Sequence, residues 1–544
     1  MRFLLVDCLA RGSGSRKATV DVIGAGPRVV AGILESFGYR VRVDVPEKIS
    51  VNILKRYVEE YDALLISAMS SDLGIVRKLT RLWRNLTRKP IIIGGPITGN
   101  PLRISELEFD VGFYGESEET LIEICSRKLF DSIVCREIEK LKSIKGLILR
   151  VNNEIVFTGR RRFVSKELLN TINPSTKIVK YYPLYWASRV YVEIVRGCSN
   201  FNRPKIVLPS GKKCILCYRC KYGPLRSRLE CPIGIPPGCG YCSVPALYGP
   251  PRSRHISNIV SEIKGLIRNG VSRIVLSAPD ILDYCREELV EPEPLTDPCS
   301  PPPNIDALRR LFDSLFNISE IASGEVALML ENIKACLVNE EVAKLLGEYF
   351  KGTTVHIGCE TGDQEHADLI GRPGTVDDVV RAVKLLTKYG LRPYVYFIHG
   401  LPGQSPKTVN NTLKIIDILK QENVEKITLY RFSPLPGSAF EDYPRAKPFV
   451  KDKLSLMIAR KVQEVNIQSK YKLLNRIIKV VIVGEYKKKY IIGYPFYHGP
   501  VVLFDKSVER YIGFLVKARI VRVLSDRLVY GTVESIERRV HQVT

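Results

Sequence analysis

Tyr-Val-Glu-Ile-Val-Arg-Gly-Cys at residues 191–198 and Pro-Pro-Gly-Cys-Gly-Tyr-Cys-Ser-Val-Pro at residues 236–245 decide how this 544-residue chain is read. The first is an apolar strand that stops at a cysteine. The second sets Cys239 and Cys242 three positions apart in a tight, glycine-bearing loop. Two thiolates at that spacing can reach one metal centre, and Cys198 can join them from the end of its strand. Three ligands on a four-iron cluster leave one iron open for a substrate or cofactor. Taken alone, the same pair of cysteines suits zinc equally well.

Strands and helices alternate outward from this segment. From Tyr191 to about Leu435 come YVEIV, a helix at Ile256–Asn269, RIVLSA, a helix at Ile305–Leu315, and VALML. A helix at Glu340–Tyr349, TVHIG, a helix at Val376–Tyr389, PYVYFIHG, a helix at Thr408–Gln421 and KITLYRF complete the run. Six repeats predict a partial (β/α)6 barrel rather than a closed eight-fold one. Residues 1–130 alternate in the same way but with fully apolar strands, which predicts a doubly wound parallel sheet covered on both faces. Its loops at Ser67, at Gly94-Gly95 and at Tyr114-Gly115 should line the crevice at the switch point. Beyond a helix near Lys451–Lys470 only strands remain, punctuated by Gly and Tyr, and these predict a small all-β barrel. The fold class is therefore α/β with a C-terminal β-barrel. The expected divisions are 1–134, a connector at 135–190, a barrel at 191–445 with a cysteine-rich insertion at 200–236, a helical linker at 446–474, and the small barrel at 475–535.

Composition narrows the class. Hydrophobic residues at 45% with 26% charged describe a globular protein. No apolar run reaches the roughly 18 residues of a membrane span, and the start lacks a signal-peptide layout, so a cytoplasmic location without a membrane partner is expected. Lys and Arg number 82 against 58 Asp and Glu, a net charge of +24 spread along the whole chain. A surface rich in both signs would explain many charges but not this surplus, which points to a polyanion such as nucleic acid. Fourteen cysteines in a reducing compartment read as metal ligands or buried thiols rather than disulfides. Seven fall between 198 and 242, whereas scattered ones such as Cys125, Cys336 and Cys359 read as packed thiols.

The arrangement resembles the radical-SAM superfamily. RGC closes the first barrel strand, and C-x-aromatic-C is followed by a helix. HIGCETGD at 356–363, FIHGLPGQS at 397–405 and YRFSPLPG at 430–437 are similar to later strand endings of that family, in the family's order. The resemblance implies that Cys198, Cys239 and Cys242 hold a 4Fe-4S cluster whose open iron is chelated by S-adenosylmethionine (SAM). It further implies that Tyr241 packs beside adenine, and that Ser277, Asp280, Glu360 and Gly362 lie near the rest of SAM.

The long gap between Cys198 and Cys239 departs from the family's compact motif. It holds Cys214, Cys217, Cys220 and Cys231 in a C-x2-C-x2-C pattern with a distant Cys-Pro. That pattern resembles bacterial ferredoxin ligation and predicts either a second 4Fe-4S cluster or a structural zinc. It also leaves Cys231 as an alternative to Cys198 for the third ligand.

Residues 1–130 resemble the cobalamin-binding domain that precedes some radical-SAM barrels, through DALLISAMSSD, PIIIGGP and DVGFYGESEETL. The resemblance places Ser67, Gly94, Gly95 and Gly115 around a nucleotide tail. No histidine precedes His255, so an axial histidine motif is absent. The same domain is similar in architecture to that of tRNA methylthiotransferases, whose three cluster cysteines there have only Cys8 as a counterpart. Residues 475–535 resemble the TRAM module of RNA-modifying enzymes. Lys487, Lys488 and Lys489 sit at a hairpin tip near Tyr494, and Lys517 and Arg519 lie on a later strand; these are the expected RNA contacts.

The expected function is a radical-SAM enzyme that transfers a methyl or methylthio group to RNA, chiefly tRNA, fed by a low-potential electron donor. A methyl group would arrive through cobalamin and a sulfur atom through the second cluster. Two alternatives remain open at this point: a cobalamin-type enzyme acting on a small molecule or lipid precursor, and a non-catalytic iron–sulfur protein that binds RNA.

Overall fold

The computed structural model describes residues 1–9 and 21–541. They separate into two compact units, one made of residues 1–192 with 247–249 and 254–269, the other of 193–246, 250–253 and 270–544.

The first unit is built on a seven-stranded sheet. Its strands are β1 (Arg2–Asp7), β2 (Arg40–Asp44), β3 (Ala63–Ser67), β4 (Ile91–Gly94), β5 (Val111–Phe113), β6 (Leu147–Val151) and β7 (Glu154–Phe157), in the order β2-β1-β3-β4-β5-β6-β7. The first five run parallel, with Leu64, Leu65 and Ile66 opposite Ile91, Ile92 and Ile93. Helices at Gly26–Ser36, Val51–Glu60 and Leu73–Leu86 supply the crossovers. Ser50 caps the second helix by accepting from the Ile53 amide at 3.3 Å. One face packs Leu4, Val6, Leu64, Ile66, Ile91 and Ile93 against Ile75, Val76, Leu79 and Trp83. Each such side chain contributes about 1.5–3 kcal/mol on burial.

The stretch expected to be a connector adds two strands to this sheet. β6 pairs antiparallel with β5, and β7 pairs antiparallel with β6. Their hairpin turns on Asn152 and Asn153, both with positive φ, as a tight two-residue turn requires. The sheet is therefore mixed at that edge.

In the second unit, β8 (Arg273–Ser277) lies parallel to β9 (Ala327–Leu330). β10 (Thr354–Glu360), β11 (Arg392–His399) and β12 (Lys426–Arg431) form a second parallel set, to which the short strand Asn332–Ile333 adds. Amphipathic helices at Ile305–Phe316, Glu340–Phe350, Val376–Lys388 and Pro406–Gln421 follow their strands. Thr375 and Asp378 form a reciprocal capping box on the third.

Five strands close the C-terminal barrel: β13 (Ile477–Tyr486), β14 (Tyr490–Pro495), β15 (Val501–Phe504), β16 (Phe514–Val523) and β17 (Leu528–Arg539), in the order β13-β14-β15-β17-β16. All pairs are antiparallel except β15 with β17. Val480, Ile482, Ile491, Val502, Phe504, Val516 and Ile520 fill it. Phe496 is fully buried as well. Among the described residues no helix is long and apolar enough to cross a membrane.

Candidate functional site

Cys198 is delivered by a short strand, Val195–Arg196, which pairs antiparallel with Arg252–Ser253. Two residues on, the Asn200 side chain brings the other cysteines to it. Its amide nitrogen donates to Cys239 Sγ at 3.1 Å and to the Gly371 carbonyl at 3.1 Å, and its backbone amide donates to Cys198 Sγ at 3.5 Å.

The loop carrying Cys239 and Cys242 is fixed by its own backbone. Gly238 has φ +108 and donates to the Asn202 carbonyl at 2.8 Å; Gly240 donates to the Ile370 carbonyl at 2.8 Å. A Cβ on Gly240 would lie 2.3 Å from the Phe440 ring, so no other residue fits there. The loop thus turns both cysteines toward Cys198: Cys239 acts on the Cys198 thiol, and both act on that of Cys242. Burial pushes the Cys198 thiol up to about 11, and burial together with the neighbouring thiols pushes Cys242 higher still. Thiols so shielded become thiolates only when a cation takes the proton's place.

Tyr241, between the two cysteines, faces Glu360 and Arg372. Glu360 ends β10 after a bulge and has φ +66, an uncommon conformation for a glutamate and one that re-aims side chains at sites. Burial raises its carboxyl, against the pull of the Arg372 guanidinium. Ser277, at the end of β8, donates to Glu331 at 2.6 Å.

Two expected contacts are otherwise engaged. Asp280 is wholly buried, accepting from the Lys334 ammonium at 2.8 Å and from the amides of Leu282 and Lys334 at 3.1 Å. Gly362 packs against the helix Pro406–Gln421, where a Cβ would meet Thr412 Cα at 2.5 Å. Lys334 also reaches Asp283 at 2.6 Å and Ser199 at 2.9 Å, forming a buried ionic group directly behind Cys198. Asn200, Lys334 and Arg372 are absent from the sequence expectations; Asn200 lies beside Cys198 and Arg372 in the GRPG turn, whereas nothing local marks Lys334.

Cys231, together with Cys214, Cys217 and Cys220, lines a cavity whose lining includes none of Cys198, Cys239 and Cys242. Among the described residues no group of three or more His, Cys, Asp or Glu side chains is set to hold a single metal ion. Cys336, expected to be a packed thiol, is instead disulfide-bonded to Cys299, with Cα atoms 5.6 Å apart. Each of these cysteines is solitary in sequence, and only the fold pairs them.

In the first unit Ser67 and Gly94 are register partners at the C-terminal ends of β3 and β4, with Gly95 following and Gly115 just beyond β5. A Cβ on Gly94 would touch only the Phe113 Cβ, at 3.9 Å, so this edge has room for a ligand. Asp7, at the end of β1, accepts from the Tyr182 hydroxyl at 2.9 Å.

On the C-terminal barrel, Lys487, Lys488 and Lys489 form the β13–β14 tip. The first two have positive φ, a conformation that Asn or Gly adopts more easily. Lys487 lies over the Tyr486 ring at 5.4 Å, Lys489 over Tyr490 at 5.6 Å and Arg522 over Tyr530 at 5.5 Å. Tyr494 lies on β14 opposite Val481. Lys517 and Arg519 are paired on the surface with Glu537 at 2.8 Å and Glu534 at 2.7 Å.

The radical-SAM superfamily model matches residues 231–416. An uncharacterised protein of Methanopyrus kandleri is 40% identical over 98% of this chain and 96% of its own length. One of Methanocaldococcus jannaschii is 40% identical over 97% of this chain and 98% of its own. The tRNA-2-methylthio-N(6)-dimethylallyladenosine synthase of Pelagibacter ubique is 23% identical over 56% of this chain and 64% of that enzyme. In fold, the chain is similar to the radical-SAM methyltransferase TsrM of Kitasatospora setae, solved with cobalamin and a [4Fe-4S] cluster, with TM-score 0.55, 15% identity, and 81% of this chain and 74% of that one covered. It is likewise similar to the cobalamin-dependent radical-SAM enzyme OxsB, with TM-score 0.54, 13% identity, and 76% and 52% covered. Such a domain implies SAM and a four-iron cluster. With its two full-length relatives, the chain belongs to the radical-SAM superfamily, its N-terminal sheet sharing the fold of the cobalamin-dependent members.

Proposed function

We propose that this chain is a radical-SAM enzyme that transfers a methyl or methylthio group to an unactivated carbon of RNA, tRNA foremost. Cys198, Cys239 and Cys242 would hold the four-iron cluster, which supplies the electron that splits SAM and so generates the radical that removes hydrogen from the substrate. Asn200 orients Cys239 and tempers its charge. Tyr241 provides an aromatic face for adenine beside Glu360 and Arg372. Ser67, Gly94, Gly95 and Gly115 would hold a cobalamin nucleotide tail along the strand ends. No histidine precedes His255, so the N-terminal sheet would offer cobalamin no imidazole.

The observation that carries the RNA reading is the terminal barrel. Its strand order, with one parallel pair between the third and fifth strands, is that of an OB-fold, whose first-to-second strand loop contacts oligonucleotides. Here that loop is Lys487-Lys488-Lys489, flanked by Tyr486, Tyr490 and Tyr530 with cations already stacked on them. The resemblance of residues 475–535 to a TRAM module and the net charge of +24 support the same reading. Lys517 and Arg519 belong to the same surface only when RNA phosphates displace their glutamates, an exchange that weak exposed ion pairs permit.

Two measurements test this. Reduced, reconstituted protein should cleave SAM to 5′-deoxyadenosine, and bulk tRNA should bind with an affinity that falls steeply as salt rises. SAM cleavage without salt-sensitive tRNA binding would move the substrate to a small molecule or lipid precursor.

A further inference from the structure

Residues 200–236 separate Cys198 from Cys239 and fold back onto the half-barrel. Cys214 and Cys231 pack against a core of Leu208, Ile235, Ile370, Leu401, Phe432 and Phe440. Within the insertion, Cys214, Cys217, Cys220 and Cys231 line one cavity of about 280 Å³.

The loop is arranged opposite to ordinary apolar collapse. Ile215, Leu216 and Tyr218 are 59%, 49% and 54% exposed, and with the exposed Cys217 and the half-buried Cys214 and Cys220 they border the cavity. Leu216 and Tyr218 both have positive φ, 54° and 56°, which bends each C-x2-C step back on itself.

Arg203 supplies a second, independent observation. It is 5% exposed, and its guanidinium donates to the carbonyls of Ile235 and Phe201 at 2.7 Å and of Arg228 at 2.8 Å. Carbonyls satisfy its N–H groups but not its charge. The groups facing that charge are the thiols of Cys220, Cys231 and Cys214. A buried guanidinium needs net negative charge beside it, and thiolates on a metal centre provide that. Lys205, Arg219, Lys221 and Arg372 line the same cavity and outnumber its two carboxylates, Glu230 and Asp368.

Spacing separates the two metal candidates. The cavity of about 280 Å³ has all four cysteines among its lining residues and has room for a four-iron core as well as for a single zinc. The C-x2-C-x2-C run with a distant Cys-Pro has ferredoxin spacing, except that here the distant Cys231 faces the same cavity as the other three.

We propose that residues 200–236 hold a second four-iron, four-sulfide cluster on Cys214, Cys217, Cys220 and Cys231, with Arg203 as its buried counter-charge. Four thiolate ligands leave no iron open to a substrate. The site would therefore take one electron from a low-potential one-electron carrier and pass it to the cluster on Cys198, Cys239 and Cys242, without binding what the enzyme modifies.

The test is metal analysis of the full chain, purified without oxygen and reconstituted with iron and sulfide. Wild type should hold about eight irons and about eight labile sulfides with no zinc. The Cys198→Ala, Cys239→Ala, Cys242→Ala triple variant should keep about four irons and show a dithionite-reduced cluster signal by electron paramagnetic resonance. About four irons and one zinc in the wild type, or an iron-free triple variant, would overturn the proposal. If changing all four insertion cysteines prevents folding, the triple variant decides alone. It lacks SAM chemistry by design, so its iron content reads the second site whether or not RNA is the substrate.

Discussion

The Asn200 side chain, 2% exposed, donates to Cys239 Sγ and to the Gly371 carbonyl, both at 3.1 Å, and its oxygen accepts from the Asn202 amide at 3.1 Å. The amide nitrogen thus ties the Cys198 segment to the Cys239 loop and to the turn after the helix Gln364–Leu369, while the oxygen braces the segment itself. A hydrogen bond to a charged group contributes about 1.5–3 kcal/mol, and bonds to cluster sulfurs raise reduction potentials. Asn200→Ala should slow SAM cleavage about tenfold and lower the cluster potential while iron content holds. Unchanged rate and potential would remove Asn200 from this role.

Cys242→Ala should abolish SAM cleavage and leave tRNA affinity intact, because the C-terminal barrel is far from this loop in sequence and closes on its own strands. The assay is 5′-deoxyadenosine release beside a filter-binding titration. Retained cleavage would refute the ligand assignment.

Lys334 holds Asp280, Asp283 and Ser199 in a buried group. Lys334→Met keeps the volume but strands the buried Asp280 carboxylate, whereas Asp283 keeps its buried Arg286 partner; this should cost about 3–5 kcal/mol. The denaturation midpoint reports it, with the slope unchanged. A loss under about 1 kcal/mol would show that the carboxylate finds a proton or water instead.

Replacing Lys487, Lys488 and Lys489 with serine should weaken tRNA binding and reduce its log–log salt slope by about two. These side chains are exposed, so the melting temperature should stay put. An unaltered slope would take the hairpin out of the RNA contact.

His366 accepts from Thr361 at Nδ1, 3.1 Å away, and donates from Nε2 to the Pro402 carbonyl at 2.8 Å. Burial is the main cause that holds its pKa below the ordinary histidine value, with the Pro402 carbonyl pulling the other way. The folded chain therefore keeps it neutral where the unfolded chain protonates it, below about pH 6.5. Its contribution is present above that pH and is lost as pH falls. Melting temperature followed from pH 8 to 5.5 should drop further in wild type than in His366→Gln. Parallel curves would mean that the ring titrates alike in both states.

Much of this was legible because period and punctuation survive in sequence. Ser50, Thr375 and Ser405 precede their helices as caps, and each fully apolar strand of the first sheet is buried. The Asn152-Asn153 turn was readable in principle, but antiparallel pairing of β6 onto β5 is a long-range choice that no local pattern states. Which cysteines share a site was undecided for the same reason: Cys231 is nearer to Cys239 in sequence than Cys198 is, yet the strand that ends at Cys198 overrides that nearness. Asp280 follows β8, but no local pattern states that its side chain turns into Lys334. The Cys299–Cys336 bond joins two solitary residues and left no spacing to read.

Arg273 on β8 donates to the Phe496 carbonyl at 3.0 Å, and Arg392 on β11 donates to the His498 carbonyl at 3.2 Å. Both bonds seize the turn between the second and third strands of the terminal barrel. That barrel is consequently bolted to the strands of the half-barrel instead of swinging on a leash. On the proposed function, the lysine tip and the thiols of Cys198, Cys239 and Cys242 form a caliper of set opening. Such a device selects its target atom by how far it lies from the gripped nucleotides, so lengthening an RNA stem by one base pair should matter more than changing its letters.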